Sequence, residues 1–551
     1  MHLVLIETAG NQQYIFASNR LRENVGASEL TYRAGTKYVL EAVAEAGGPR
    51  LWSDDQEEVR AGLLHDKRNP PLADGQDGIE VVLAASGKAM LLASDAGRAR
   101  RIISRVTRRA LEEAPGLDVR GFVSDSFELG SHELHRVVQD AHRGLEGLRG
   151  MLPGPRERFL RLPVVEPCAT SGLPASELVR VPNESSSEAC SLVSYSKRRA
   201  AEEGLSRMRQ AAGRHRLPYS ADALEHELEC AWLAVVHADG NGLGEVFLNF
   251  ERYVRASAEG GQQARNRAYV DTLRRFSLAL DRCTERAFCS ALAKMMPTRK
   301  QRQASKNGAQ PVLPILPLVL GGDDLTVLCD GEQALPFTHQ FLERFCELAD
   351  DGEIQEVLSC GQPGARLTAS AGVAIIKPHD PFFTAYDLAE ALLRNAKRAK
   401  PAAAIDCHVV FDASGPDLNR VRRQLRVDGG RTVLTARPYV LGKADGRYAN
   451  RRVADLVGWI QVLRRDGGNG ESIPRSVLHD LRHSLFLGHQ QADARFKLLL
   501  PRHGALRSLA HGSGDSVSLF WREEESGDAP DALCYTGLLD ALELAPFWRN
   551  V

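Results

Sequence analysis

Two short apolar runs set the organisation of the chain. Leu3-Val4-Leu5-Ile6 leads into Gly10-Asn11, and Leu233-Ala234-Val235-Val236 leads into Gly240-Asn241, so that Leu3–Asn11 lies register for register on Leu233–Asn241. Each run ends in a small-residue turn and is followed by a helical pattern, which predicts a duplicated unit. After the first run the pattern predicts helix from Gln13 to about Ala46. It then predicts a hairpin of Ile79–Ala84 and Ala89–Ala93 pinched at Ser86-Gly87-Lys88, a helix over Gly97–Glu113, a strand over Asp118–Val123 and a helix from about Ser131. After the second run come helices to about Met296, a strand over Leu316–Leu320, the turn Gly321-Gly322-Asp323-Asp324 and a strand over Leu325–Cys329. A helix over Leu335–Leu348, a strand over Leu367–Ile376, a helix over Ala385–Lys397 and a strand over His408–Phe411 complete it. Pro314 and Pro317 argue for starting the Leu316 strand late, because proline cannot donate to a ladder. Thr298–Gln310, polar and basic, reads as a mobile loop.

Both halves therefore read β-α-β-β-α-β, which predicts an α+β protein with two ferredoxin-like units, each an antiparallel sheet with helices on one face. Nucleotide polymerases and cyclases use such a sheet as their palm, although a fold does not by itself assign chemistry. The predicted domains are a first unit at 1–150, a linker at 151–220, a second unit at 221–415 and a helical domain at 416–551. The helical domain rests on Val453–Arg464, Pro474–Leu487, Asp493–Leu500 and Gly537–Leu544.

Composition narrows the picture. The chain has 551 residues, 43% hydrophobic and 26% charged, which fits a multidomain folded protein and excludes collagen-like, coiled-coil and disordered classes. Lys plus Arg (70) nearly balances Asp plus Glu (71), so no global positive field holds a long nucleic acid. Local basic stretches at Arg299–Lys306, Arg420–Arg426 and Arg464–Arg465 could contact phosphate, or be solvated faces. No apolar run reaches the ~20 residues of a membrane span, and Met1-His2 runs straight into the first strand without a leader pattern. Ten scattered cysteines fit a reducing cytoplasm.

The candidate chemistry sits in the second half. Asp323-Asp324 lies at a hairpin tip, and Asp239 ends the strand expected beside it. Such a tip is either a solvated acidic turn or part of a site where three carboxylates hold cations. Hard oxygen donors around open positions suit two Mg²⁺ or Mn²⁺ ions, the geometry of phosphoryl transfer. Asp239-Gly240-Asn241-Gly242-Leu243-Gly244 follows at a strand-to-helix junction, where free N–H groups can approach phosphates. The first half has Ala9 in place of Asp239 and Ser86-Gly87-Lys88 in place of the acidic turn, so one unit is expected to be active and one degenerate. Lys397 can reach phosphate or merely cap a helix C-terminus, and Ser370 can touch the ligand or merely occupy a strand.

Taken together, Asp239–Gly244, the GG-DD turn, Ser370-Ala371-Gly372-Val373-Ala374 and Ala396-Lys397 resemble the active palm of the large polymerase-like subunit of type III CRISPR effector complexes. Gln13-Tyr14-Ile15-Phe16, Asn19-Arg20-Leu21-Arg22-Glu23 and Gly26-Ala27-Ser28 are similar to the start of that family's first palm. The resemblance implies a cytoplasmic synthase in antiviral defence that converts ATP to cyclic oligoadenylate second messengers with release of pyrophosphate. It implies Asp239, Asp323 and Asp324 as metal ligands, the Gly240 carbonyl assisting, and Gly240, Asn241, Gly242, Leu243, Gly244, Gly321, Gly322, Ser370 and Lys397 around the nucleotide. Guide-RNA effector subunits, target RNA as activator and a downstream cyclic-nucleotide-activated effector are the implied partners; a homo-oligomer is an open alternative.

Two departures stand out. This sequence opens directly on the first-palm pattern, and the His65-Asp66 and His479-Asp480 dipeptides lack the spaced partners that the family's HD nuclease needs, so DNA cleavage by that route is not expected. Cys168 to Ala175 resembles half of the family's zinc finger, but Ser171 takes the second cysteine place and Cys190 has no CxxC partner, so no structural zinc is expected. Both departures raise a stand-alone relative as an alternative. Two other functions stay open: a mono- or dinucleotide cyclase using other nucleoside triphosphates, and a silent nucleotide- or RNA-binding scaffold.

Overall fold

The computed structural model describes residues 1–149, 154–180, 186–218, 224, 228–255, 261–297, 311–411, 417–443, 446–464, 472–512, 516–523 and 532–548. The Thr298–Gln310 loop, its basic stretch Arg299–Lys306 and Arg465 lie outside the described residues.

In the first half, β1 (His2–Ala9), β2 (Ile79–Ala85), β3 (Lys88–Ala93) and β4 (Asp118–Val123) form an antiparallel sheet in the order β2-β3-β1-β4. The second half repeats that order. The linker adds a hairpin, β5 (Ala175–Arg180) and β6 (Ser187–Ser191); then β7 (Leu233–Gly240), β8 (Ile315–Gly321), β9 (Asp324–Asp330) and β10 (Ala369–Ile376) stand as β8-β9-β7-β10. Beyond β10 the sheet continues through β11 (Ala404–Val409) to an edge strand at Tyr439–Val440.

Several expectations need correction. The last strand is Ala404–Val409, earlier than His408–Phe411, and it pairs parallel to β10 through the Phe382–Ala396 helix, so the larger sheet is not purely antiparallel. β8 begins at Ile315 and includes Pro317, because it is the edge strand and its ladder shifts register between Pro317 and Val319, where a missing N–H is tolerated. Helices cover both sheet faces. Val4 and Ile6 share a core with the Leu21–Gly35 and Ala96–Glu113 helices, while Leu3 and Leu5 share one with Leu134–Arg149. The linker is also more than a connector: its Leu192–Ala211 helix packs along Leu21–Gly35, with Glu23 bonded to Arg198 and Glu29 to Arg207. The C-terminal region has its expected helices plus a four-stranded sheet of Arg426–Val427, Thr432–Val433, Trp521–Glu523 and Leu533–Tyr535. Strands of two or three residues are too short to carry an alternation signal.

The long Gly261–Leu292 helix binds the halves together. Glu80 on β2 is fully buried, ion-paired with Arg274 and, at 2.7 Å, with Arg267 of that helix, and its other oxygen accepts the Leu72 N–H at 2.9 Å. Removing one partner of a buried pair leaves uncompensated charge. Glu80→Ala is therefore expected to lower unfolding free energy by about 3–5 kcal/mol, measured by urea denaturation.

Candidate active site

The acidic turn is a tight hairpin. Gly321 pairs with Asp324, leaving Gly322-Asp323 as the turn, and Gly322 sits at φ 62°, a left-handed conformation that glycine adopts without steric cost. Asp323 packs against the end of β7: a Cβ placed on Gly240 would lie 2.8 Å from Asp323 Oδ2.

Strand alternation decides what shares a face. His237 and Asp239 are two residues apart on β7, His237 pairs with Thr326 on β9, and Asp324 is two residues from Thr326, so these four side chains line one side of the sheet. His237 is buried, and its Nδ1 lies 3.0 Å from Thr326 Oγ1 and 3.4 Å from Asp324 Oδ1. Burial draws the imidazole down to about 4, so it is neutral near pH 7. Tyr386 lies 5.4 Å from the His237 ring and stacks at 3.7 Å on Phe16, a residue of the first half. The first half reaches the site a second time, since its Ser86 hairpin comes within 3.9 Å of where a Cβ on Gly321 would stand.

The electrostatics are unfavourable without a counter-charge. Burial raises the Asp323 carboxyl above its ordinary range, and burial with the charge of Asp323 pushes Asp324 up to about 8. Asp324 Oδ1 is buried and makes no hydrogen bond. Asp239 is instead ion-paired with Lys397, whose Nζ also lies 3.1 Å from the Gly240 carbonyl oxygen. Burial, with Lys400 nearby, draws the Lys397 ammonium down to about 8. Among the described residues, no three His, Cys, Asp or Glu side chains already stand together as a metal cage. The expected convergence of three carboxylates is thus only partly present: Asp323 and Asp324 share the turn, and Lys397 takes Asp239.

Other expected contacts acquire different roles. Ser370 is fully buried and donates to Asn241 Oδ1 at 3.1 Å, while the Asn241 amide donates to Thr368 Oγ1 at 2.9 Å and the Ala402 carbonyl at 3.3 Å. In this structure the Ser370 and Asn241 side chains are bonded to each other and to the residues just before β10 and β11. Leu243 is a core residue. The Leu243–Leu248 helix has only six residues, a short support for phosphate binding, although Gly242 and Gly244 leave open space. In the linker, Cys168 Sγ contacts the Thr170 and Ser194 hydroxyls at 3.4 and 3.6 Å, and Ser171 and Ser191 hydroxyls meet at 3.0 Å. His237 and Tyr386 are absent from the sequence-based expectations, and Phe16 enters them only through the first-palm resemblance, though the i, i+2 spacing of His237 and Asp239 on a strand already places both on one face.

A tight acidic hairpin beside a strand end, on a 2-3-1-4 sheet, is a palm-like arrangement. Residues 232–405 match the family model Cas10/Cmr2, second palm domain. The similarity to the large polymerase-like subunit of type III CRISPR complexes therefore holds for that segment. No curated protein matches the chain. Solved structures similar in fold include an apo Csm1–Csm4 cassette (TM-score 0.45, 14% identity, 88% of this chain and 62% of that one). Csm1 of T. onnurineus (TM-score 0.45, 13%, 92% and 64%) is another. A third is the Csm1–Csm4 cassette with AMPPNP (TM-score 0.44, 13%, 93% and 65%). The chain thus spans less than two thirds of the length of each.

Proposed function

We propose that the chain is a metal-dependent nucleotidyltransferase of the cyclase kind, joining ATP units through 3′-hydroxyl attack on an α-phosphate and closing them into cyclic oligoadenylate. The reading makes residues 1–150 a degenerate palm and 221–415 the active one. The observation that carries it is Asp324 Oδ1, buried and without a hydrogen bond, on a turn where two carboxylates repel, next to the Gly240 backbone. Three carboxylates and a carbonyl are hard oxygen donors, so Asp239, Asp323, Asp324 and the Gly240 carbonyl fit a pair of Mg²⁺ or Mn²⁺ ions. Bound there, divalent ions supply charge stabilisation to the triphosphate and acidify the attacking hydroxyl.

The chain's own groups do the rest. Lys397 exchanges its Asp239 partner for triphosphate oxygens, which frees the Asp239 carboxylate. Neutral His237 steadies Asp324 without adding positive charge, and the Gly240–Gly244 backbone with Gly321 and Gly322 leaves room for phosphate. Tyr386, stacked on Phe16, sets its ring beside that of His237. In this reading the protein acts in CRISPR-type defence in the cytoplasm, switched on by target RNA and partner subunits, and its product activates a separate effector. No helix among the described residues is long and apolar enough to cross a membrane.

One observation favours a second reading, nucleotide binding without turnover: the Lys397–Asp239 ion pair occupies a carboxylate that turnover needs. Incubating the protein with each nucleoside triphosphate and Mg²⁺ or Mn²⁺, alone and with target RNA and effector subunits, separates the two by product mass. Cyclic products of three or more adenylates, lost with EDTA, are expected. Rings of one or two nucleotides indicate the smaller cyclase, and nucleotide binding with no product under any condition indicates the silent binder.

A further inference from the structure

The backbone of the acidic turn is held from outside its own sheet. On the Gly261–Leu292 helix, Asp281 and Thr284 stand three residues apart on one face. Asp281 Oδ1 accepts the Gly322 N–H at 2.9 Å, and the Thr284 hydroxyl donates to the Gly322 carbonyl at 2.5 Å. Both peptide planes around the left-handed Gly322 are therefore pinned, and the next two residues are Asp323 and Asp324. Upstream, Arg207 donates to the Leu320 carbonyl at 3.3 Å.

The clamp continues into the first half. The other oxygen of Asp281 is ion-paired with Arg60 on the Gln56–Leu64 helix. Arg60 is 4% exposed and grips both oxygens of Glu285 at 2.7 Å, with Glu57 at 2.8 Å. Glu285 lies one turn along from Asp281 on the same helix face. Without the guanidinium the two carboxylates would face each other across a half-buried space, and Asp281 would have reason to swing away from Gly322.

We propose that Asp281 is a positioning residue for the acidic turn and that Arg60, through Asp281, lets the N-terminal half set the aim of Asp323 and Asp324. The proposal rests on reading that turn as the nucleotide site. It gives the degenerate unit a defined role, in which a single buried arginine transmits its docking to the backbone that carries the carboxylates. Small errors in placing reacting groups cost large factors in rate, so the effect should fall on turnover more than on binding.

Hydrogen–deuterium exchange of the full chain, read on peptides covering 316–328, tests the clamp without requiring activity. In Asp281→Ala, exchange at the turn is expected to accelerate by about tenfold or more, the consequence of losing a charge-assisted hydrogen bond. Arg60→Gln should loosen the same peptides. Asp281→Asn, which keeps an acceptor oxygen for Gly322 but no charge for Arg60, should give an intermediate change. In parallel, kcat for ATP is expected to fall by about tenfold or more while KM stays within about threefold. Unchanged exchange at 316–328 in Asp281→Ala overturns the proposal. So does equal acceleration across β1–β4, which would mark a general loss of docking, and so does a loosened turn with kcat intact. If the wild-type chain turns over no nucleotide, the functional reading fails, while selective loosening of the turn still supports the clamp.

Discussion

Replacing Asp323 and Asp324 together by alanine is expected to cut nucleotide turnover by about 10³-fold or more, because the transfer step would lose several kcal/mol of charge stabilisation. Stability should move the other way. Burial holds both carboxyls above their ordinary range, and mutual repulsion adds to it at Asp324. Removing them relieves the mutual repulsion of two carboxyls on a half-buried turn, so Tm in metal-free buffer should stay level or rise. Thermal melts run beside product mass spectrometry make the comparison. A variant that loses both activity and Tm would assign the pair a structural role, and one that keeps turnover would remove these carboxylates from the reaction.

The repeat carries most of what the sequence reveals about the fold. The β1 and β7 runs align because both are central strands buried on both faces, and such strands read as continuous apolar stretches. The same double-sided burial argues for helices on both faces, which the prediction of a one-faced sheet leaves out. The start of β11 is hard to place from sequence because Ala404-Ile405-Asp406-Cys407 hides a charge, Asp406, that is fully buried and satisfied by Arg422 and Asn395. A buried carboxylate breaks the apolar pattern, and only its tertiary partners explain it.

The site is legible where residues act near one another in sequence and illegible where they act across the fold. Gly321 to Asp324 and Asp239 to Gly244 are local signatures. Nothing near Asp281 or Thr284 marks them as holding Gly322, which lies 41 and 38 residues away along the chain, and nothing near Arg60 marks it as the partner of Asp281. Ser370 shows the converse. It sits in a strong motif and its hydroxyl is bonded to Asn241, and the tightest packing in that motif lies two residues on.

That residue is Gly372, and Gly372→Ala is the second large effect expected. A Cβ there would lie 2.0 Å from the Ala389 carbonyl oxygen and 2.4 Å from the Leu393 nitrogen, backbone atoms of the Phe382–Ala396 helix that no rotamer change can clear. The helix must move as a body, at a cost of about 3 kcal/mol or more, the upper range for overpacking a core. It carries Tyr386 into the stack with Phe16 and ends beside Lys397, the partner of Asp239, so the displacement should reach the site as well. Gly244→Ala supplies the contrast: nothing lies within 4 Å of its Cβ, and its effect on stability should stay within about 0.5 kcal/mol. Urea denaturation and steady-state turnover of the two variants separate the roles of glycine here. Gly372→Ala should lose stability and turnover together, whereas Gly244→Ala should change only turnover. Wild-type stability in Gly372→Ala would mean that the helix is not seated against β10 as closely as these contacts require.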